Sequence, residues 1–104
     1  PDVLSQEDIA LLLQAPNTDK PQGLRDAAML ELLYATGLRV SELVNLKLQD
    51  INLEAGFVRI FGKGSKERIV PIGMQAKEKM EQYLKRVRSK QSKQHTSTYL
   101  FIAR

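Results

Sequence analysis

The sequence contains no cysteine, which excludes disulfide bonds and thiolate metal sites and makes a cytoplasmic location the expectation. It also contains no apolar run near the roughly 20 residues that a membrane-spanning helix needs. The first segment, PDVLSQEDIA, has neither the basic start nor the apolar stretch of a secretory signal peptide. The sequence is therefore unlike a disulfide-stabilised secreted domain or a membrane-spanning protein.

The chain has 104 residues, of which 42% are hydrophobic, and this suffices for one small domain or for part of a larger one. The formal charge is +4, and the excess is local, because residues 77–93 hold seven basic and two acidic side chains. Such a block suits contact with a polyanion such as nucleic acid, but a basic amphipathic helix can also be a solvated surface. A helix that binds a membrane surface or a protein partner is a third interpretation.

Local signals predict three helices in the first half of the chain. A capping box of Ser5 and Asp8, with a hydrophobic staple of Leu4 and Ile9, predicts a helix from residue 6 to about residue 15. Residues 24–34 are apolar almost all round, which indicates a central buried helix, with a proline at 21 suited to its first turn. A left-handed glycine at 37 is expected to end it. The short helix that follows is predicted to turn these residues toward the core: Val40, Leu43, Val44 and Leu46.

The second half predicts strands and one more helix. Apolar residues on both sides of GKGSK indicate an antiparallel hairpin with a basic tip, whose second strand ends at Pro71. An amphipathic helix is predicted from about residue 74 to 87, followed by a polar loop. The apolar stripe of this helix comprises Ala76, Met80, Tyr83, Leu84 and Val87. The YLFI segment is either a last short strand or the beginning of an element that these residues do not include. The predicted fold class is α+β, mainly α, with helices packed against a small antiparallel sheet.

Arg39 stands between Leu38 and Val40 just after the predicted helix break, and burying an unpaired guanidinium costs several kcal/mol. It therefore either faces solvent or binds an anion. Glu42 lies three residues further on, close enough on one helical face to orient the guanidinium. A surface ion pair worth under about 1 kcal/mol is one interpretation. A rigidly held arginine that binds phosphate is the other.

The hairpin tip FGKGSKER, residues 61–68, is the second candidate site. Gly62 and Gly64 flank Lys63 and allow the backbone to approach a ligand closely. The spacing differs from that of a P-loop, because Gly56 is one residue too early and no Ser or Thr follows the lysine directly. An ordinary glycine-rich turn with solvating lysines explains the segment equally well.

Residues 32–73, LLYATGLRVSELVNLKLQDINLEAGFVRIFGKGSKERIVPIG, resemble in order and spacing the start of the catalytic domain of tyrosine site-specific recombinases, also called the phage integrase family. Within that family the segment is most similar to the Xer recombinases that resolve chromosome dimers. The resemblance extends more loosely over nearly the whole chain. It implies a DNA breaking-rejoining enzyme that works through a 3′-phosphotyrosyl intermediate, with no metal and no nucleotide cofactor. It also implies double-stranded DNA as the partner and assembly with other recombinase subunits as a tetramer on DNA.

The resemblance also implies roles for single residues. Arg39 matches the first catalytic arginine, Glu42 the acidic residue beside it, and Lys63 the hairpin lysine that acts as general acid on the leaving oxygen. The basic hairpin and the basic helix are predicted to contact the DNA backbone. The residues predicted to do so are Arg59, Lys66, Arg68, Lys85, Arg86 and Arg88.

Some residues that the family needs are absent from the sequence. The single histidine, His95, is not followed by the arginine of a His-x-x-Arg motif, because Thr98 stands there. None of the three tyrosines stands where the nucleophile is expected. We therefore expect residues 1–104 to be the first half of a catalytic domain, inactive alone. An apolar patch on its second helix and its YLFI end should make it either self-associate or be marginally stable. A non-catalytic DNA-binding module with the same basic surface is the alternative.

Overall fold

The computed structural model describes residues 5–62, 64, 66–92 and 97–102. Three helices precede a small three-stranded sheet and further helical segments follow it, which confirms the predicted α+β class. The elements are α1 (Gln6–Gln14), α2 (Pro21–Thr36), α3 (Val40–Val44), a 3₁₀ turn (Leu48–Asp50), β1 (Ile51–Asn52), β2 (Phe57–Phe61), β3 (Glu67–Pro71), α4 (Gly73–Tyr83), a π-helical turn (Leu84–Arg88) and α5 (Ser89–Ser92). No helix of these described ranges is both long and apolar enough to cross a membrane.

The predicted capping box starts α1. The Asp8 backbone N–H donates to Ser5 Oγ at 3.0 Å, and the Ser5 N–H donates to Asp8 Oδ2 at 3.1 Å. The helix begins and ends where the sequence predicts, although none of its residues is buried. Leu4 of the predicted staple lies outside the described residues. Local capping rather than core packing therefore sets the start of α1.

Helix α2 forms the centre of the fold, and it packs along α4. It begins with Pro21 as predicted and ends at Gly37, which has φ 69° and donates its N–H to Leu33 O at 2.9 Å. Gly23 allows the loop before α2 to approach closely, because a Cβ built there would overlap the carbonyl oxygen of Asn17. Side chains of α2, β2, α4 and the last segment form the core, including Leu32, Val58, Ile60, Met80, Tyr83 and Leu100.

The sheet has the order β1-β2-β3, with both pairings antiparallel. In the predicted hairpin, Val58 pairs with Val70 and Phe61 with Glu67, and β3 ends at Pro71 as expected. Strand β1 was not predicted, since its two residues are too few to show an alternating pattern. It pairs Ile51 with Val58 and so fixes the chain that follows α3 to the hairpin.

The stripe predicted for α4 is confirmed, because its members are buried except for the half-buried Leu84. The helix runs further than predicted, through the π-helical turn and α5 to Ser92, so the loop expected from residue 88 does not start there. The YLFI segment contributes a single bridge, from Tyr99 to Lys47, and not the short strand that was one of its two alternatives. Leu100 is nevertheless fully buried in the core, and Tyr83 Oη donates to its carbonyl at 2.8 Å.

One further expectation is corrected. Val40 and Val44 are 65% and 49% exposed, although they were predicted to face the core. Helix α3 is only five residues long, and Leu43 with Leu46 fills the space beneath it. The apolar patch expected on α2 and the YLFI end stays a prediction, since Tyr34 and Tyr99 are 59% and 43% exposed whereas Leu32 and Leu100 are buried. The largest exposed apolar side chains include Leu11, Val40, Ile69 and Met74.

Candidate functional site

Arg39 is the N-cap residue of α3 and lies at the break predicted from the sequence. Its backbone is extended, with φ −77° and ψ 152°, and its N–H donates to Glu42 Oε1 at 2.9 Å. The side chain is exposed, and its guanidinium makes no hydrogen bond or ion pair with another described residue. The guanidinium is therefore available to an anion from solvent, whereas the backbone that carries it is fixed.

The residues before Arg39 hold its position. The Leu38 side chain is buried in the core, and the Leu38 N–H donates to Thr36 Oγ1 at 3.3 Å. The same hydroxyl donates to Leu32 O at 2.6 Å, so the end of α2 is tied to the first residues of the break. The left-handed Gly37 completes this short connection. The backbone at Arg39 is thus held rigidly, as a preorganised anion site requires.

Glu42 connects α3 to the hairpin. Besides the Arg39 N–H, its carboxylate accepts two bonds from Arg68 on β3, Nη1 to Oε2 at 3.2 Å and Nη2 to Oε1 at 3.3 Å. The hydrogen bond from the Arg39 backbone, followed by that from the Arg68 side chain, lowers the pKa of Glu42 below its ordinary value of 4.5. Glu42 is therefore ionised at neutral pH, and it does not form the surface ion pair with Arg39 that the sequence left open.

A cleft of about 360 Å³ lies between α3 and the end of β2. Arg39 and Glu42 line it on one side, and Phe61 and Gly62 line it on the other. The remaining lining residues are Ser41, Asn45, Leu46 and Asp50. The structure therefore brings the two candidate sites of the sequence together, the arginine at the helix break and the base of the hairpin tip.

The tip itself is described only in part. Gly62 donates its N–H to Lys66 O at 2.8 Å, which closes the base of the tip, and Gly64 has φ 76°. Lys63, predicted as the general acid, lies outside the described residues. Its flanking glycines are described, and the left-handed Gly64 explains why glycine suits that position.

The predicted DNA-contacting residues of the hairpin differ in their surroundings. Arg59 Nε lies 3.5 Å from Glu67 Oε1, and its guanidinium carbon lies 5.7 Å from the centre of the Phe61 ring. Lys66 is exposed. Arg68 is half exposed but is held by Glu42. The hairpin therefore presents Lys66 to an external anion more freely than Arg59 or Arg68, each of which is paired with a glutamate.

The predicted DNA-contacting residues of the basic helix differ in their exposure. Lys85 and Arg86 are exposed on the π-helical turn, as a DNA-contacting surface requires. Among the described contacts, no hydrogen bond, ion pair or cleft joins them to Arg39. Arg88 is only 1% exposed, and it donates to Tyr99 O at 3.0 Å and to Ser97 O at 2.6 Å. The prediction that Arg88 contacts DNA is thus wrong for this conformation, because its guanidinium already binds main-chain carbonyls inside the fold.

Two features of the site were not predicted. The Arg68 to Glu42 pair joins residues 26 positions apart, so no local spacing indicates it. Asp50 is buried beside the cleft and accepts the Lys47 N–H at 2.9 Å. The spacing of an acidic residue three positions after Lys47 is the only sequence signal for this bond, and it is shared by many turns.

Comparison with known proteins gives a consistent result. The sequence profile of the phage integrase family matches residues 2–104. Tyrosine recombinase XerD of Staphylococcus epidermidis is 50% identical over 102 residues, which are 98% of this chain and 35% of that protein. XerD of Staphylococcus aureus is 49% identical over the same shares of the two chains. The chain therefore spans about a third of the length of the curated relatives it matches.

Solved structures agree with the sequence relatives. The crystal structure of XerA recombinase superposes with a TM-score of 0.83 at 29% identity, covering 99% of this chain and 35% of that one. XerH site-specific recombinase, bound to its difH substrate in a pre-cleavage complex, superposes with a TM-score of 0.77 at 25% identity. That match covers 98% of this chain and 30% of XerH. The helices and the three-stranded sheet described above are thus shared with both recombinases.

Proposed function

The chain belongs to the phage integrase family, as its resemblance to the Xer recombinases predicts, and on that premise we propose that it forms the first half of a tyrosine recombinase catalytic domain. The whole protein would cut and rejoin double-stranded DNA, and its closeness to XerD favours site-specific recombination of the kind that resolves chromosome dimers. Subunits would assemble on DNA, as a tetramer in the complete protein. XerH in complex with difH supports DNA as the partner of this chain.

The proposed reaction assigns roles to Arg39, Glu42 and Lys63. A tyrosine hydroxyl gives its proton to water, and its oxygen forms a bond to the phosphorus of a DNA phosphodiester while the bond from phosphorus to the 5′ oxygen breaks. Negative charge grows on the non-bridging oxygens, and a preorganised guanidinium such as that of Arg39 stabilises it. The leaving 5′ oxygen takes a proton from Lys63, the proposed general acid. Glu42 holds the backbone of Arg39 in place.

The available guanidinium of Arg39 carries this proposal. The side chains of most surface arginines are mobile. The Arg39 side chain is instead carried by a backbone that is hydrogen-bonded to Glu42 and that follows a buried leucine. Its planar fork suits two oxygens of one phosphate. The cleft beside it leads to the base of the hairpin tip, where Lys63 follows Gly62 in sequence.

The nucleophile is proposed to come from a part of the domain that these 104 residues do not contain. Tyr83 is fully buried, and its hydroxyl donates to a carbonyl. Burial is the main cause that raises the pKa of Tyr83, which disfavours the phenolate. Tyr34 lies exposed on α2, and Tyr99 pairs with Lys47. None of the three lines the cleft, so we expect the chain alone to form no covalent link to DNA.

The test uses the full-length recombinase and a substrate with a 5′-phosphorothiolate at the cleavage site. Its sulfur leaves readily without a proton, so cleavage by Lys63→Ala should be rescued. Arg39→Ala should stay slow on this substrate, because removing one preorganised donor costs about 10²- to 10³-fold in rate. Arg39→Lys should also stay slow, since an ammonium does not reproduce a bidentate fork. Rescue of both alanine variants, or of neither, would show that the general acid is wrongly assigned.

A non-catalytic DNA-binding module is the second candidate, and the exposed Lys85 and Arg86 are the observation that favours it. Under that function Arg39→Ala and Lys85→Ala should weaken DNA binding alike. The two variants should not differ in strand cleavage. Under recombination Arg39→Ala should leave DNA affinity nearly intact, because one phosphate contact among many contributes little to binding. Equilibrium binding of the two variants, measured beside their cleavage rates, separates the two functions.

A further inference from the structure

Arg68 occupies a position that its predicted role does not explain. It lies on β3 opposite Ile60, near the base of the hairpin tip, and its guanidinium reaches α3. Both oxygens of Glu42 accept from it, at 3.2 and 3.3 Å. Oε1 of the same carboxylate also accepts the Arg39 N–H at 2.9 Å. A continuous chain of hydrogen bonds therefore runs from the hairpin through Glu42 to the backbone of Arg39.

Gly62 of the hairpin leaves space for the contact between Arg68 and Glu42. The Arg68 guanidinium passes beside Gly62, where Nη1 lies 3.7 Å from the point at which a Cβ would be built. The other hairpin arginine behaves differently, because Arg59 pairs with Glu67 within the hairpin and does not reach α3. Among the described hairpin cations, Arg68 is thus the one whose ion pair leaves the hairpin for the helix that carries Arg39.

We propose that Arg68 is a positioning residue, which acts through Glu42 to hold Arg39 and the base of the hairpin tip in one geometry. This inference rests on the proposed recombinase function. It replaces the earlier expectation that Arg68 contacts the DNA backbone. A bidentate pair fixes angle as well as distance, so it sets how the hairpin strand lies against the N-terminus of α3.

The pair has a second consequence, for the charge of the site. Glu42 and Arg39 are three residues apart, and a free carboxylate at that spacing attracts the Arg39 guanidinium. Because Arg68 occupies both oxygens of Glu42, the guanidinium of Arg39 stays available for phosphate. Loss of Arg68 should therefore both loosen the hairpin and let Glu42 compete with the substrate for Arg39.

The experiment compares Arg68→Met, Glu42→Gln and the double variant in the full-length recombinase, with covalent adduct formation on a suicide substrate as the rate. Arg68→Met should slow adduct formation by up to about 100-fold, the effect of a small misplacement at a reacting centre. In the Glu42→Gln background the same substitution should have little further effect, since both changes break one connection. Arg68→Lys should recover part of the rate, because a lysine can still donate to Glu42. Arg25→Met, which removes an ion-paired arginine of α2 outside the cleft, is the control and should react at the unmodified rate.

Salt dependence separates positioning from DNA contact. A positioning residue leaves the slope of log affinity against log salt unchanged, whereas loss of a phosphate contact reduces it by about 0.9. A reduced slope, additive effects of the two substitutions, or an Arg68→Met rate equal to the unmodified rate would each overturn the proposal. Absence of any adduct with the unmodified protein would instead overturn the recombinase function, and the proposal with it.

Discussion

Replacing Arg88 with methionine tests whether this cation serves the fold or the DNA. Its side chain is 1% exposed, and it donates to Ser97 O at 2.6 Å and to Tyr99 O at 3.0 Å. Methionine fills similar space but donates nothing, so two carbonyls lose their donor at a cost of about 1–3 kcal/mol each. The recovered desolvation of the guanidinium offsets part of this cost. We expect the free energy of unfolding to fall by about 2–4 kcal/mol.

Urea titration of the chain, followed by far-UV circular dichroism, measures this loss. Arg86→Met is the matched control, because Arg86 is exposed two residues away and its loss should change stability by less than about 0.5 kcal/mol. DNA binding should show the opposite order. Arg86→Met should reduce the salt slope by about 0.9, and Arg88→Met should leave it unchanged under conditions where it is folded. An Arg88→Met protein of unchanged stability, or with a reduced salt slope, would refute the reasoning.

Two further predictions concern backbone geometry and acid stability. Gly23→Ala should destabilise the chain by about 1–3 kcal/mol in thermal unfolding, because a Cβ would overlap the Asn17 carbonyl oxygen; an unchanged transition would contradict this contact. The lowered pKa of Glu42 means that the unfolded chain binds a proton first as the pH falls below the ordinary value of 4.5, so this stabilisation is present above that pH and is lost below it. Glu42→Gln should therefore flatten the acid side of the stability profile in urea titrations, and an equally steep profile would contradict the assignment.

Local signals in the sequence predicted much of the fold. The Ser5 capping box and the left-handed Gly37 are each set by a few neighbouring residues, so the bounds of α1 and the end of α2 follow from short-range chemistry. The buried stripe of α4 follows from helical periodicity over several turns. The two-residue β1 cannot be predicted from local signals, because it exists only through its pairing with Phe57 and Val58.

The environment of the basic residues could not be predicted in the same way. Arg88 belongs to a basic segment whose sequence is typical of a charged helix face. It is nevertheless buried beside Val87 in the π-helical turn. Such a turn holds an extra residue and so shifts the helical register on which a prediction of faces depends. The Arg68 to Glu42 pair depends on the way the hairpin folds back onto α3, which no spacing within either segment records.

The residues of the candidate site were predicted from the sequence, but the contacts between them were not. Arg39, Glu42 and the glycine-flanked tip were identified from their order in the sequence. That Arg39 and Gly62 line one cleft, and that Glu42 binds the Arg39 backbone instead of its guanidinium, became clear only from the structure. Residues that act on one ligand can lie far apart along the chain, so sequence order alone does not give their geometry.

The central claim is that this chain supplies the phosphate-stabilising Arg39 but not the nucleophile of a tyrosine recombinase. One measurement tests it most directly: covalent adducts with an end-labelled suicide DNA substrate, separated on a denaturing gel. The account predicts an adduct with the full-length recombinase, a loss of about 10²- to 10³-fold in its rate for Arg39→Ala, and no adduct with the 104-residue chain alone. An adduct formed by the chain itself, or an Arg39→Ala protein that reacts at the unmodified rate, would contradict the claim.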